Sequence, residues 1–166
     1  MNPVRQIRNI IARGMVALVD PGSKLQTLQL RLTADEVKDG MEHVEPYGFT
    51  SNPHPGAEAV ALFLGGDRSH GVVIAVADRK FRLQGLKSGE VALYTDEGDR
   101  LHFKRGRVIE LETMTLKVKA GTAVEFDTPL ISTTGRIESV GDQIARGVST
   151  ATHVHEGSDK KPVPGG

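Results

Sequence analysis

The most informative part of this sequence is the stretch Gly121-Thr-Ala-Val-Glu-Phe126-Asp-Thr-Pro-Leu130-Ile-Ser-Thr-Thr134-Gly135-Arg-Ile-Glu-Ser-Val140-Gly141-Asp-Gln-Ile-Ala-Arg146-Gly147. Short runs of strand-forming residues alternate here with Gly or Asp-Thr-Pro breaks. The breaks recur roughly every six to eight residues, which is the pattern of a degenerate β-repeat, as in β-helices and solenoids. The upstream run Arg107 to Ala120 alternates apolar and charged residues, and its alternation slips near Thr113, which predicts a bend or a strand break there.

A single chain of such strands has a narrow apolar face and two open edges, so alone it is a poor fold. Winding three chains together covers the apolar faces and pairs the edges. It also fits the composition, because aromatic residues are 4% and tryptophan is absent. We therefore predict an intertwined triple-stranded β-helix over residues 107–152. The alternative is an ordinary two-sheet domain of one chain.

Upstream of the shaft, the apolar pattern has period two and predicts a small barrel over residues 14–80. The predicted strands are 14–20, 25–32, 43–49, 58–64 and 70–77. The polar stretch Thr33 to Gly40 is predicted to be a connection with one helical turn. An OB-fold fits this spacing, although the spacing alone does not separate it from an SH3-like barrel. Residues 81–106 are predicted to form a neck and the first shaft strands.

The first residues, 1–13, are predicted to form a helix or arm, with Asn2 as N-cap and Gly14 as its end. Val4, Ile7 and Ile11 share one face of this helix at helical spacing. A short basic amphipathic helix suits docking on its own domain or on a partner; binding to a membrane surface is the alternative.

Two histidines near the end, in Thr152-His153-Val154-His155, are the candidate metal ligands. In an extended backbone, His153 and His155 point the same way. Three copies around a three-fold axis would supply six imidazole nitrogens, which suits an octahedral transition metal rather than tetrahedral zinc. Residues 153–166 would then form a metal-binding apex and cap. The plain alternative is that His153 and His155 are a solvated pair without a metal. The scattered His43, His54 and His70 show no ligand spacing and are interpreted as surface residues.

Composition excludes several function classes. Lys+Arg and Asp+Glu are both 21, so the basic excess typical of nucleic-acid binders is missing. Cysteine is absent, so thiolate sites are excluded, and no long apolar run or signal peptide is present, so we expect a soluble chain. No catalytic frame is recognisable.

Two rival functions remain open. One is an OB-fold nucleic-acid-binding module with a trimerising β stalk, which would stack bases on Tyr47 and Phe49. The other is a metalloenzyme using His153 and His155, for which the adjacent Glu156 would point to the opposite face of a strand.

Several blocks, in this order, carry a resemblance to a known family. They are Tyr47-Gly48-Phe49-Thr50-Ser51, Pro55-Gly56-Ala57-Glu58-Ala59-Val60, Gly65-Gly66-Asp67-Arg68, Gly71-Val72-Val73, Thr95-Asp96-Glu97-Gly98-Asp99 and His153-Val154-His155. With them the chain resembles the baseplate assembly protein V, or central spike, of contractile-tailed phages, and is most similar to the Mu type. The Pro-Gly-Ala-Glu and Gly-Gly-Asp-Arg blocks are fairly specific, whereas His-x-His alone is not.

The resemblance implies an all-β homotrimer with an N-terminal OB-fold barrel, a triple-stranded β-helix and an apex iron, one per trimer, held by His153 and His155 of each chain. It implies a non-enzymatic spike that pierces the host outer membrane when the tail contracts, attached to baseplate hub and tail proteins and binding no nucleic acid. The protein is expected in the virion tail after assembly in the host cytoplasm. Calcium or other ions along the axis are also implied, with Asp127, Glu138 and Asp142 as candidate contacts.

Overall fold

A computed structural model describes residues 10–33 and 36–153, and these residues are built from β-strands, turns and extended segments. The strands are β1 (Ile11–Asp20), β2 (Thr27–Thr33), β3 (Glu36–His43), β4 (Glu58–Phe63), β5 (Gly71–Ala77), β6 (Val91–Tyr94), β7 (Arg100–Lys104), β8 (Val108–Glu112), β9 (Ile144–Ala145) and β10 (Val148–Ser149). A single 3-10 turn follows β4 at Leu64–Gly66. Within the described ranges, no helix is long and apolar enough to cross a membrane. The chain divides into two compact units, Met1–Lys117 and Val118–Gly166.

The first five strands close into a barrel in the order β1-β2-β3-β5-β4. All pairs are antiparallel except β3 with β5, which run parallel. Register shifts interrupt the β1–β2, β2–β3 and β4–β5 ladders, and such bulges bend strands so that a small sheet can close on itself. The closed five-stranded barrel is confirmed, and its strand order is compatible with the predicted OB-fold.

The barrel core follows from period-two alternation, which sends every second side chain inward. The buried apolar side chains are Val16, Leu28, Leu30, Met41, Ala57, Ala59, Ala61, Phe63 and Val73. Small residues at close strand approaches make this packing feasible. A Cβ on Gly71 would lie 2.7 Å from the Phe63 ring, and a Cβ on Gly14 would lie 2.8 Å from the Arg31 carbonyl oxygen. Gly14 therefore serves strand packing inside β1.

Three expectations in the first fifty residues are wrong. The strand expected at Gly14 already begins at Ile11, since Ile11 pairs with Leu62 of β4, so residues 11–13 are not helical. Residue 10 is a bend, and residues 1–9 of the predicted helix lie outside the described residues.

The third strand is the polar stretch Glu36–His43, where a connection with a helical turn was expected, and the predicted strand at 43–49 is mostly loop. Pairing with β2, including Leu28 with Met41, overrides the weak strand propensity of this polar run.

A second sheet, β6-β7-β8, is an antiparallel meander. It covers most of the region predicted as neck and first shaft strands. β8 ends at Glu112, so the predicted break near Thr113 is confirmed.

In the second unit, the described residues contain only one short ladder, β9 with β10, of two residues each. The predicted strand runs 122–126, 130–134 and 136–140 form no ladder within the chain. These runs have no strand partner among residues 10–33 and 36–153. The intertwined β-helix stays a prediction.

Candidate functional site

The β6-β7-β8 sheet has one apolar face. The register places the same-face residues opposite one another: Val91 with Phe103 and Ile109, and Leu93 with Leu101 and Leu111. We call these side chains the neck face. All of them are exposed or only partly buried, and Ile109 is 63% exposed. An antiparallel sheet normally packs such a face on a core.

The opposite face of the same sheet is charged and internally paired. Arg100 forms ion pairs with Glu110 and Glu112, and Lys104 Nζ lies 2.6 Å from Glu110 Oε2. The Lys104 hydrogen bond is the main cause that lowers the pKa of Glu110. Most charges on this face are paired with one another, although the buried Arg100 Nε has no hydrogen-bond partner among the described residues. One face of the sheet is therefore charged and the other is apolar.

Residues 118–153 carry a further set of exposed apolar side chains, which we call the segment stripe. Its members are Val118, Val124, Phe126, Leu130, Ile131, Ile137, Val140, Ile144 and Val148. Leu130 is 74% exposed, and no residue between 118 and 153 is fully buried in the single chain. Apolar surface on this scale marks an interaction site in a soluble protein.

The β9–β10 hairpin ends in a hydrogen-bonded turn that carries His153. The Ser149 carbonyl oxygen accepts from the His153 backbone N–H at 3.3 Å and lies 2.8 Å from His153 Nδ1. Because a carbonyl oxygen can only accept, Nδ1 carries a hydrogen, and the lone pair of the neutral ring is on Nε2. A backbone carbonyl bound to the second ring nitrogen is the usual surrounding of a metal-ligating histidine.

His155, the other predicted ligand, lies outside the described residues. Within residues 10–33 and 36–153, no three His, Cys, Asp or Glu side chains of one chain come together as a metal site. The donor set, two imidazoles per chain, fits a metal shared between chains rather than one held by a single chain.

The candidate axial-ion contacts are dispersed. Glu138 pairs with Arg136 at 2.7 Å, and both are exposed. Asp142 Oδ1 accepts from the Ala151 backbone N–H at 3.0 Å and the Thr150 hydroxyl at 3.3 Å. Asp127 is exposed. Asp142 thus has a role within its own chain that the spacing of residues did not predict.

One of the three histidines interpreted as surface residues is buried. His43, at the end of β3, is 6% exposed; its Nδ1 lies 3.4 Å from Gln26 Oε1 and 3.9 Å from Glu45 Oε1. Met41 and His43 are two residues apart in β3, so their side chains lie on the same inward face of the strand. A sequence prediction that placed a strand at Glu36–His43 would therefore have predicted the burial of His43. His54 is half-exposed, with Nε2 3.0 Å from Asp96 Oδ2.

The aromatic pair of the nucleic-acid hypothesis is not on a strand. Tyr47 and Phe49 lie in the loop after β3 and are exposed, with the Phe49 N–H donating to the Pro46 carbonyl in a turn. Glu45 holds this loop by accepting from the Ser51 backbone N–H at 2.8 Å and from the Thr50 hydroxyl at 2.9 Å. A flat strand-face platform for stacked bases is therefore not formed by these two residues.

Comparison with known proteins gives consistent matches. The family model described as Bacteriophage Mu Gp45, N-terminal, matches residues 13–80. The baseplate puncturing device gp45 of Escherichia phage Mu is 34% identical over 172 residues, covering 93% of this chain and 87% of the relative. The Mu-like prophage FluMu protein gp45 of Haemophilus influenzae is 36% identical over 172 residues, covering 96% of this chain and 93% of the relative. The chain therefore belongs to the phage Mu gp45 family of baseplate spike proteins, which are structural proteins and not enzymes.

Proposed function

We propose that this chain forms, as a homotrimer, the central spike of a contractile phage tail and pierces the host outer membrane when the sheath contracts. The similarity to a protein named as a baseplate puncturing device extends over nearly the whole length of both chains. The single observation that carries the architectural part is the segment stripe, a set of nine large apolar side chains exposed in the single chain.

The trimer is supported by two unpartnered apolar surfaces, the neck face and the segment stripe. Each buried apolar square ångström contributes about 25 cal/mol, so leaving them in water would forgo most of the hydrophobic stabilisation available to residues 91–153. A second and third copy supply identical apolar surfaces and the missing strand partners together. Closed symmetric association also prevents open strand edges from adding further chains.

At the apex, His153 and His155 of three chains would hold one iron ion. A metal tied to three chains adds binding free energy that only the assembled state has. This contribution matters near the end of the chain, because small residues such as Ser149, Thr150 and Ala151 have little apolar surface to bury between chains. Iron itself rests on the family resemblance, and the donor chemistry of the two histidines supports it.

The mechanism is mechanical. A slender trimer whose strand edges are all paired transmits force along its axis without unravelling, and a small tip concentrates that force on a small area of membrane. The barrel end would attach to baseplate hub proteins above, so the assembled protein belongs in the virion tail. The chain would bind no nucleic acid.

Tail localisation and membrane puncture test this function separately. Gold-labelled antibodies against residues 118–150 should mark the baseplate end of purified tails in electron micrographs. Contracting tails that carry the wild-type chain should release a periplasmic reporter enzyme from target cells. Labelling elsewhere on the tail, or full reporter release by tails without the chain, would contradict the proposal.

A further inference from the structure

The last described turn of the chain is organised by one carboxylate, Asp142. Its Oδ1 accepts from the Ala151 backbone N–H and the Thr150 hydroxyl, at 3.0 and 3.3 Å. The pKa of Asp142 is lowered, with the Ser149 hydroxyl as the largest cause and the Ala151 N–H as the next. The carboxylate before β9 is thus tied to the residues that end and follow β10.

The same turn fixes the imidazole of His153. The Ser149 hydroxyl accepts from the backbone N–H and the hydroxyl of Thr152, at 2.9 and 2.8 Å. These contacts fix the Ser149 side chain against Thr152. The carbonyl oxygen of the same residue, Ser149, lies 2.8 Å from His153 Nδ1. The orientation of the ring therefore depends on where Ser149 is held.

The hairpin ladder alone is too small to hold it. β9 and β10 have two residues each, and two-stranded hairpins are at best marginally stable in water. The connecting turn uses left-handed backbone at Arg146, with φ 51°, which costs free energy in a residue other than glycine. Hydrogen bonds to a charged carboxylate are about twice as strong as neutral ones, so the two that Asp142 accepts add to the order of this turn.

We propose that Asp142 is a positioning residue for the tip metal: it holds the turn at residues 149–153 so that His153 presents Nε2 to a divalent transition-metal ion shared by three chains. This inference rests on the proposed metal tip. The Ser149 carbonyl and Asp142 form successive outer layers of the site. Removing outer-layer partners of metal ligands typically lowers metal affinity 10–100-fold.

The test is Asp142→Asn in the full-length chain, with Glu125→Gln as the matched control. Both variants remove one carboxylate from the same segment, but Glu125 is exposed and lies outside the hairpin. Metal-free trimers are loaded with Co²⁺ and titrated with a chelator, and the visible absorption of bound Co²⁺ is recorded. We expect Asp142→Asn to lower the apparent affinity by about 10-fold or more, with an altered absorption spectrum and an unchanged trimer mass, and Glu125→Gln to match the wild type.

The possible outcomes separate the inference from the function beneath it. If wild-type trimers bind neither iron nor Co²⁺, the metal tip itself is wrong and the inference falls with it. If the wild type binds metal and Asp142→Asn has the same affinity and spectrum, the metal tip stands and the positioning role is overturned. If Asp142→Asn fails to assemble, Ser149→Ala, which keeps the Ser149 carbonyl, carries the test: a weakened site supports the role, and an unchanged one overturns it.

Discussion

The barrel and the segment at residues 118–153 use similar residues in opposite ways. In the barrel, one chain buries Phe63 to 1% exposure and closes every strand edge of the sheet on another strand. In the segment, side chains of comparable size, such as Phe126 and Ile137, stay exposed, and only the β9–β10 ladder forms. The barrel is a fold that one chain completes, whereas the segment has the residues of a core without the neighbours that would make one.

The difference lies in strand length and spacing rather than in hydrophobicity. Barrel strands of six to ten residues, such as β1 and β4, are long enough to pair with a neighbour on each side, and bulges bend them so that the sheet closes. Runs of about five residues between glycines, as around Gly135 and Gly141, are too short to fold back on each other and bury both faces. The proposed trimer would supply the facing strands that such runs lack in the single chain.

The largest loss of stability is expected from a substitution in the core of the barrel. Replacing Phe63 with Ala removes the largest fully buried side chain and should lower the free energy of unfolding of the barrel by roughly 3–5 kcal/mol. Urea denaturation followed by circular dichroism measures this. The exposed neighbour Leu64 is the control, because Leu64→Ala should change stability by no more than about 0.5 kcal/mol. Equal effects of both variants would mean that the barrel core is misassigned.

The next effect should appear only if the segment is buried between chains. Ile137→Asn should destabilise the trimer by roughly 2–5 kcal/mol per chain, as for a large buried aliphatic residue, and lower its dissociation midpoint in denaturant. Arg136→Asn, next to it, should have little effect because exposed ion pairs contribute about 0–1 kcal/mol. If Ile137→Asn is as mild as its control, residue 137 is at a surface in the assembled protein as well as in the single chain.

The smallest effect concerns acid sensitivity of the barrel. Hydrogen bonds from Arg79, and then from Arg13, lower the pKa of Glu58 below the ordinary glutamate value of about 4.3. A lowered folded-state pKa stabilises the fold above the ordinary value, and this contribution is lost as pH falls through the lowered pKa. Glu58→Gln should therefore lose less stability than the wild type between pH 7 and pH 3, measured by thermal melts at each pH. An identical loss in both proteins would show that Glu58 does not contribute.

Much of the barrel could be predicted from sequence because period-two alternation and Gly-rich turns are local signals. The strands around Glu58–Phe63 and Gly71–Ala77 were expected within one residue. β3 was missed since its polar residues gain strand structure from pairing with β2, a long-range effect that local propensity cannot report. His43 was interpreted as exposed for the same reason.

At the candidate metal tip, sequence predicted one part of the site and missed another. The spacing of His153 and His155 is a local signal and could be recognised directly. The use of Asp142 as an acceptor for the turn at residues 149–151 could not, because it depends on a chain reversal at Arg146 and Gly147 that brings residues nine positions apart together. The family resemblance implied an axial-ion contact for Asp142 instead.

Native mass spectrometry of the full-length protein, combined with metal analysis of the same sample, tests the central claim most directly. The account predicts a particle of three times the chain mass of 17.9 kDa, with one iron ion for every three chains. A trimer without metal would retain the intertwined segment and remove the metal tip. A monomer at micromolar concentration would contradict the account, because the neck face and the segment stripe would then remain in water.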